Sequence, residues 1–172
     1  MARTALLERL SGGDRRSVGR AAEAVTLVRQ QPALLAPLFE GMQSDDPVLA
    51  MRCADVAEKV TSQHADWLTP YRALLLGPLM DVEQQEVRWH VAPMLSRLTL
   101  DGEEADRVMH WLEGATQDRS SIVRTMAMQA MADLAIAHPR LAALVRRHIE
   151  ELTLTGSPAM RARGRRLLAR LR

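Results

Sequence analysis

The stretch GPLMDVEQQEVR, at residues 77–88, decides the fold because its pattern of glycine, aspartate and a closing apolar-arginine pair recurs along the chain. The arginines that close the copies stand 36, 36 and 37 residues apart, and they are Arg52, Arg88, Arg124 and Arg161. A fixed period of this length is typical of an array of two-helix repeats, in which each unit buries its apolar side against the next.

Each copy of the pattern predicts where one helix ends and the next begins. We expect the glycine to end a helix in the left-handed conformation, which other residues resist. An aspartate or serine about four residues later is then expected to cap the next helix through its side-chain oxygen. In Asp46-Pro47 and Ser157-Pro158, proline follows at the first helical position, where its missing amide costs nothing. The glycines concerned are Gly41, Gly77, Gly114 and Gly156.

Apolar residues at helical spacing predict an all-α chain of about ten helices in antiparallel pairs. The helices are expected at residues 2–11, 15–30, 32–42, 47–62, 65–76, 83–99, 102–115, 120–137, 139–153 and 158–171. The paired helices form repeats at about 14–43, 45–78, 81–115 and 118–155, between an N-terminal capping helix within 1–13 and a C-terminal capping helix within 157–172. No linker is long enough to divide the chain, so we expect residues 1–172 to form a single domain.

The composition is that of a folded chain with 47% apolar and 26% charged residues. One cysteine, Cys53, excludes a disulfide within the chain, and no zinc-ligand spacing accompanies it. The sequence has no phosphate-binding loop or nucleophile motif, so we expect no enzyme activity, no cofactor and no metal. It also has no apolar run of membrane-spanning length and no signal-peptide pattern. We therefore expect a cytoplasmic protein that has no membrane partner.

The units of 36–37 residues, the aspartate in the turn, the apolar-arginine pair and a proline inside the helix at 83–99 together resemble HEAT repeats of the bacterial HEAT-like kind. The resemblance covers about residues 14–172. It departs at the ends, where Arg20 and Arg52 stand only 32 residues apart and the last unit has one helix. It implies a right-handed α-α superhelix whose second helices line a concave surface, and it implies binding as the usual task.

The repeated arginines admit two interpretations. Arg52, Arg88 and Arg124 could line a ligand track, or each could bond to an aspartate in a neighbouring turn. The aspartates concerned are Asp45, Asp81 and Asp118. We favour such a ladder of bonds, because residues repeated in every unit usually serve contacts between neighbouring repeats.

We expect a non-enzymatic scaffold or adaptor that binds a protein partner, as yet unidentified, on the concave face. The candidate partner-binding residues are Glu40, Arg72, Trp89, His110, Trp111, Arg146 and Arg147. All lie on second helices except Trp89, which points away from the apolar stripe of a first helix. Tryptophan is a favoured anchor in interfaces, although Trp111 could equally belong to the core and Trp89 could fill a groove between repeats.

The C-terminal part of the chain carries an excess of positive charge. Residues 1–139 hold 14 basic and 19 acidic side chains, whereas residues 140–172 hold nine arginines and two glutamates. The candidate patch for an anionic partner is Arg161, Arg163, Arg165, Arg166 and Arg170. The other interpretation of these arginines is a solvated cap. The alternative function is nucleic-acid binding, which the arginine excess and the tryptophans suggest, and some DNA glycosylases for alkylated bases resemble this chain in having a HEAT-like fold. The net acidic remainder of the chain would repel phosphates.

Overall fold

The computed structural model describes residues 2–12 and 20–171, and the regular structure within those ranges is helical throughout. Ten α-helices are present there: α1 Ala2–Leu10, α2 Ala21–Gln30, α3 Leu35–Gly41, α4 Pro47–Thr61, α5 Arg72–Leu75, α6 Gln85–Ser96, α7 Gly102–Ala115, α8 Ser121–Ala137, α9 Ala142–Thr155 and α10 Pro158–Arg170. Short 3-10 helices cover Pro32–Leu34, Ala65–Tyr71, Pro78–Met80 and Pro139–Leu141. The predicted all-α class is confirmed. The start of the helix expected at 15–30 lies outside the described residues.

The chain divides into two compact units, residues 1–94 and 95–172. The boundary falls inside α6, between Met94 and Leu95. The first unit therefore contains α1 to α5 and most of α6, and the second contains α7 to α10. Each unit has its own buried apolar side chains.

In the first unit, α4 is the central helix and packs against α1, α2 and α3. The helix begins where Asp46 accepts hydrogen bonds from the amides of Val48, at 2.9 Å, and Leu49, at 3.4 Å. Pro47 occupies the first helical position, as the sequence predicts. The buried side of α4 is built mainly from small and β-branched residues, which allows neighbouring helices to approach closely. These residues include Ala50, Cys53, Ala54, Val56, Ala57 and Val60.

Side chains about one repeat apart hold the first unit together beyond α4. Gln84, just before α6, donates through Nε2 to the carbonyl oxygen of Pro47 at the start of α4, at 2.8 Å. The rings of Phe39 and Tyr71 stack with their centroids 4.1 Å apart. Elements in corresponding places of neighbouring repeats therefore lie side by side in this unit.

In the second unit, α8 is the central helix and packs against α7, α9 and α10. α7 begins with the predicted capping box. The carboxylate of Asp101 accepts from the Glu104 amide, the carboxylate of Glu104 accepts from the Asp101 amide, and both distances are 2.9 Å. Ser120 and Ser157 cap α8 and α10 in the simpler way, with one side-chain oxygen each.

The four helices of the second unit pair according to their place in the repeat. Arg140, just before α9, donates to the Asp106 carboxylate of α7 at 2.7 Å and to the Gly102 carbonyl at 2.6 Å. At the other end of α7, Thr116 Oγ1 lies 3.4 Å from Nε2 of His148 in α9. Second helices therefore lie beside each other here, as the repeat pattern predicts. The right-handed superhelix of the whole chain remains a prediction.

The expectation that the repeated glycines are left-handed is wrong. Among the described residues, only Gly12 has a positive φ, of 73°. Gly41 and Gly114 lie inside the last turns of α3 and α7, and these helices end on right-handed residues after them. Gly41 instead serves close packing, because a Cβ built there would lie 2.5 Å from Sγ of Cys53 in α4.

Two further local predictions need correction. The second helix of the repeat at 45–78 is mostly a 3-10 helix, Ala65–Tyr71, followed by only four α-helical residues in α5. Pro70 lies inside it, and proline cannot donate the amide hydrogen bond that an α-helix requires. The helix caps are also shifted: Asp46 caps α4 instead of Asp45, and Ser120 caps α8 instead of Asp118.

Arg52 is almost fully buried, with 2% of its surface exposed. Its Nη1 donates to the carbonyl oxygens of Leu10, at 2.9 Å, and Gly12, at 2.5 Å. These carbonyls lie at the C-terminal end of α1, where helix carbonyls lack partners within the helix and the helix dipole favours a cation. Arg52 therefore fastens α1 to α4 through main-chain acceptors, and the predicted ladder of bonds to turn aspartates remains a prediction.

Replacing Gly41 with alanine should lower the free energy of unfolding by about 1–3 kcal/mol, because the added methyl group meets Cys53 in a packed interior. Gly114→Ala is the matched control, since an added Cβ there meets nothing within 4 Å. That control should leave stability unchanged or raise it by up to about 1 kcal/mol. Urea unfolding of both variants measures the difference, and equal effects would contradict the close-packing role.

Replacing Arg52 with methionine should lower the free energy of unfolding by about 2–3 kcal/mol, because hydrogen bonds from a charged donor to buried carbonyls are lost. Amide hydrogen exchange within α1 should become faster than in the wild-type chain. Arg29→Met, at an exposed position near the end of α2, is the control and should change neither quantity. Unchanged exchange in α1 of the Arg52 variant would show that this side chain does not hold the helix.

Candidate functional site

Four of the predicted partner-binding residues lie in the second unit, on α7 and α9. The His110 side chain is 92% exposed on α7, and Arg147 is exposed on α9. Arg146 is also exposed and donates to the Glu150 carboxylate at 3.1 Å, one turn further along α9. Trp111 is partly buried on α7, in keeping with its alternative interpretation as a packing residue.

The other three predicted residues lie in the first unit. Glu40 is exposed near the end of α3, and Arg72 is partly buried at the start of α5. Trp89 is partly buried on α6, with its ring edge against His90 at a centroid distance of 5.8 Å. The predicted set is therefore divided between the two units.

Two leucines on the exposed side of α9 were missing from the predicted site. Leu144 is 38% exposed and Leu154 is 80% exposed. Together with Arg147 and Glu151 they follow one another at spacings of three, four and three residues, so they form a single stripe along the helix. We call these four residues the α9 stripe. The exposure of these leucines could have been predicted from the sequence, because other apolar residues already form the buried side of α9. These are Val145, Ile149 and Leu152.

Two of the five arginines of the predicted anionic-partner patch are hydrogen-bonded within the second unit. Arg163 donates to Oε1 of Gln129 and Arg170 donates to Oδ1 of Asp133, each at 2.9 Å. Gln129 in turn donates to both carboxylate oxygens of Asp133, at 3.1 and 3.0 Å. These bonds fasten α10 to α8, one repeat earlier.

The other three arginines of that patch, Arg161, Arg165 and Arg166, are exposed on α10. Arg170 is exposed as well, so four of the five arginines of the predicted patch face solvent, and two of the five, Arg163 and Arg170, have structural partners. Exposed arginines at the end of an array also keep the terminal unit soluble, so this arrangement fits a cap as well as a binding site.

A polar cleft of about 290 Å³ opens in the second unit where the end of α7, the first turn of α8, the end of α9 and the start of α10 meet. Among the described residues, its lining includes one cation, Arg124, and one acidic residue, Glu151. The remaining lining residues are Thr116, Gln117, Leu152, Thr155, Gly156, Ser157 and Met160. In the sequence, Arg124 belongs to the repeat pattern, and that pattern does not connect it with Ser157.

The Cys53 thiol and the possible metal-ligand clusters can be examined among the described residues. Burial, with a smaller effect from the charge of Asp46, raises the pKa of the Cys53 thiol to about 12, so the thiol is protonated and unreactive at neutral pH. Residues 2–12 and 20–171 contain no group of three or more His, Cys, Asp or Glu side chains placed to hold a metal ion. Within the same ranges, no helix has both the length and the apolar character needed to cross a membrane.

No known protein-family model matches this sequence, and no curated protein matches it either. The resemblance to HEAT repeats therefore depends on the period, the turn residues and the contacts between repeats described above.

His90 of α6 provides a titratable group in the interior of the first unit. Burial lowers the pKa of His90 below its usual value, although the carboxylates of Asp55 and Glu58 act to raise it. Lys59 adds to the lowering. The His90 Nε2 atom lies 3.9 Å from Oδ1 of Asp55 in α4. The folded protein therefore holds His90 neutral at a pH where the unfolded chain is already protonating it.

The free energy of unfolding should fall as the pH drops below about 6.5, the ordinary histidine pKa, because the unfolded state then binds a proton that the folded state binds only at lower pH. The contribution of His90 is fully present above that pH. In the variant His90→Gln the fall should be smaller. His110→Gln is the matched control and should keep the wild-type slope. Urea unfolding between pH 5 and 8 measures how the free energy of unfolding depends on pH. Identical slopes in all three proteins would contradict the contribution of His90.

Proposed function

We propose that this chain is a HEAT-like helical-repeat module that binds a protein partner and performs no catalysis itself. The observation that carries the proposal is the α9 stripe, in which two exposed leucines flank Arg147 and Glu151. Large apolar side chains exposed beside charged ones are a common feature of protein interfaces, where the apolar part supplies affinity and the charges supply orientation.

The repeat contacts support the same proposal. In each unit, side chains about 32–38 residues apart are in contact, as with Gln84 and Pro47 in the first unit and Arg140 and Gly102 in the second. A repeat array uses one set of helix faces for these internal contacts and leaves another set available for a partner. The α9 stripe lies on a helix face that remains available for a partner.

Nucleic-acid binding is the rival proposal, and its support is the exposed group Arg161, Arg165 and Arg166. A nucleic-acid surface needs several cations along a phosphate backbone. Arg163 and Arg170 are already bonded to groups of α8, and the α9 stripe carries one charge of each sign. These observations favour a protein partner over a polyanion.

A cytoplasmic location belongs to the proposal of a protein-binding module, since the one cysteine is a buried free thiol.

The proposal is tested by capturing partners from a lysate of the source organism with tagged protein and identifying them by mass spectrometry. Leu154→Asp and Arg147→Glu should each reduce recovery of the same partner protein by about tenfold or more, the size expected for a central interface residue. Ile122→Asp is the matched control, because Ile122 is also apolar and half exposed but lies on α8. It should leave recovery unchanged.

Two other results would overturn the proposal. One is equal recovery of every captured protein by the wild-type chain and by both stripe variants. The other is capture that nuclease treatment abolishes and that Arg166→Glu removes while Leu154→Asp does not. The second result would assign binding to the exposed arginines of α10 and favour nucleic acid.

A further inference from the structure

Arg52 and Arg124 occupy the same place in their repeats but have different surroundings. Arg52 is buried, and its Nη1 has carbonyl acceptors at 2.9 and 2.5 Å. The Nε atom of Arg124 is also buried, yet within residues 2–12 and 20–171 no acceptor lies within hydrogen-bonding distance of it. A buried donor without an acceptor is costly. The Arg124 side chain as a whole is only partly buried, so the rest of its guanidinium can meet an acceptor that a ligand supplies.

Arg124 lines the polar cleft of about 290 Å³ in the second unit. The cleft also includes the first turn of α10, a helix of 13 residues whose cap is Ser157. Pro158 has no amide proton and the Met160 amide donates to Ser157 Oγ at 3.4 Å, so the helix contributes mainly the positive end of its dipole, which favours an anion. The cation and the helix end thus favour the same sign of charge in one cleft.

The other polar residues of the cleft limit what it accepts. The hydroxyl groups of Thr116 and Thr155 donate to main-chain carbonyls, of Glu113 at 2.7 Å and of Glu151 at 2.9 Å. The carboxylate of Glu151 adds a negative charge to the lining. This charge disfavours multiply charged ligands such as polyphosphates and leaves Arg124 to balance one negative charge.

The first unit provides a natural comparison. A cleft of the same volume, about 290 Å³, lies where the turn after α3 meets the segment before α6. Its described lining includes Gln43, Ser44, Asp81 and Gln84, with no arginine or lysine among the residues that the structure describes. Each unit therefore has a cleft between consecutive turns, and in the described residues Arg124 provides a cation in the cleft of the second unit.

We propose that the cleft lined by Arg124, Gln117 and Ser157 binds a single carboxylate group. The guanidinium is suited to this ligand, because its planar N–H donors match the two oxygens of a carboxylate. The carboxylate belongs either to a small free acid or to an acidic side chain of a bound polypeptide. The chemistry of recognition is the same in both cases.

The test uses the purified full-length chain with ¹⁵N labelling, and it follows the Arg124 Nε–H signal by NMR. Acetate represents the free acid, and a blocked tripeptide with a central glutamate represents the polypeptide side chain. Each probe is titrated to about 50 mM at constant ionic strength, and sodium chloride is the reference titrant. This concentration is high enough to detect dissociation constants in the millimolar range. A saturable downfield shift of the Arg124 signal with either probe is the expected result, and the probe that binds more tightly identifies the source.

Three variants keep the result interpretable. Glu151→Gln, at an exposed position, should bind the same probe about threefold or more tightly, because a like charge has been removed. Arg124→Gln lacks the Nε–H group, so binding by this variant and its control is followed through the main-chain amide signal of Gln117 in the same cleft. Arg124→Gln should bind at least about tenfold more weakly, whereas Arg119→Gln, which replaces an exposed arginine before α8, should bind as the wild type does. No saturable shift in the wild type and Glu151→Gln, or equal binding by Arg124→Gln, would overturn the proposal. Failure of the partner-capture experiment would leave this result unaffected.

Discussion

Contact between side chains one repeat apart is the interaction on which the rest of the structure depends. Helices of this length are only marginally stable alone in water, so each needs a neighbour to cover its apolar side. Gln84 reaches Pro47, and Arg163 and Arg170 reach Gln129 and Asp133, across about one repeat length in every case. These bonds fix which faces are internal, and thereby also determine which faces remain exposed.

Most of the fold could be predicted from the sequence because its determinants are local. The caps at Asp101 and Ser157 and the period of the apolar residues need only a few neighbouring positions to be recognised. The errors arose where a distant residue decides the outcome. Gly41 is small because Cys53 packs against it from another helix, and no pattern around Gly41 contains that information. The 3-10 helix was foreseeable in part, since Pro70 lies inside it.

Less of the candidate site could be predicted. Exposure of His110 and Arg147 follows from helical periodicity alone, because each lies opposite the buried side of its helix. The hydrogen bonds of Arg163 and Arg170 do not follow from periodicity, because they depend on which residues of α8 lie opposite them, one repeat earlier. The cleft at Arg124 could not be predicted for a similar reason, since two stretches of the chain about one repeat apart, residues 116–124 and 151–160, form its wall.

The 3-10 helix at Ala65–Tyr71 has a consequence for the dimensions of the repeats. A 3-10 helix rises about 2.0 Å per residue, whereas an α-helix rises about 1.5 Å. The 11 residues of this helix and α5 therefore span about 20 Å, close to the roughly 21 Å spanned by the 14 residues of α7 or α9. The tighter winding lets a shorter segment cross the same thickness of protein, so a repeat can lose three residues from its second helix without becoming thinner.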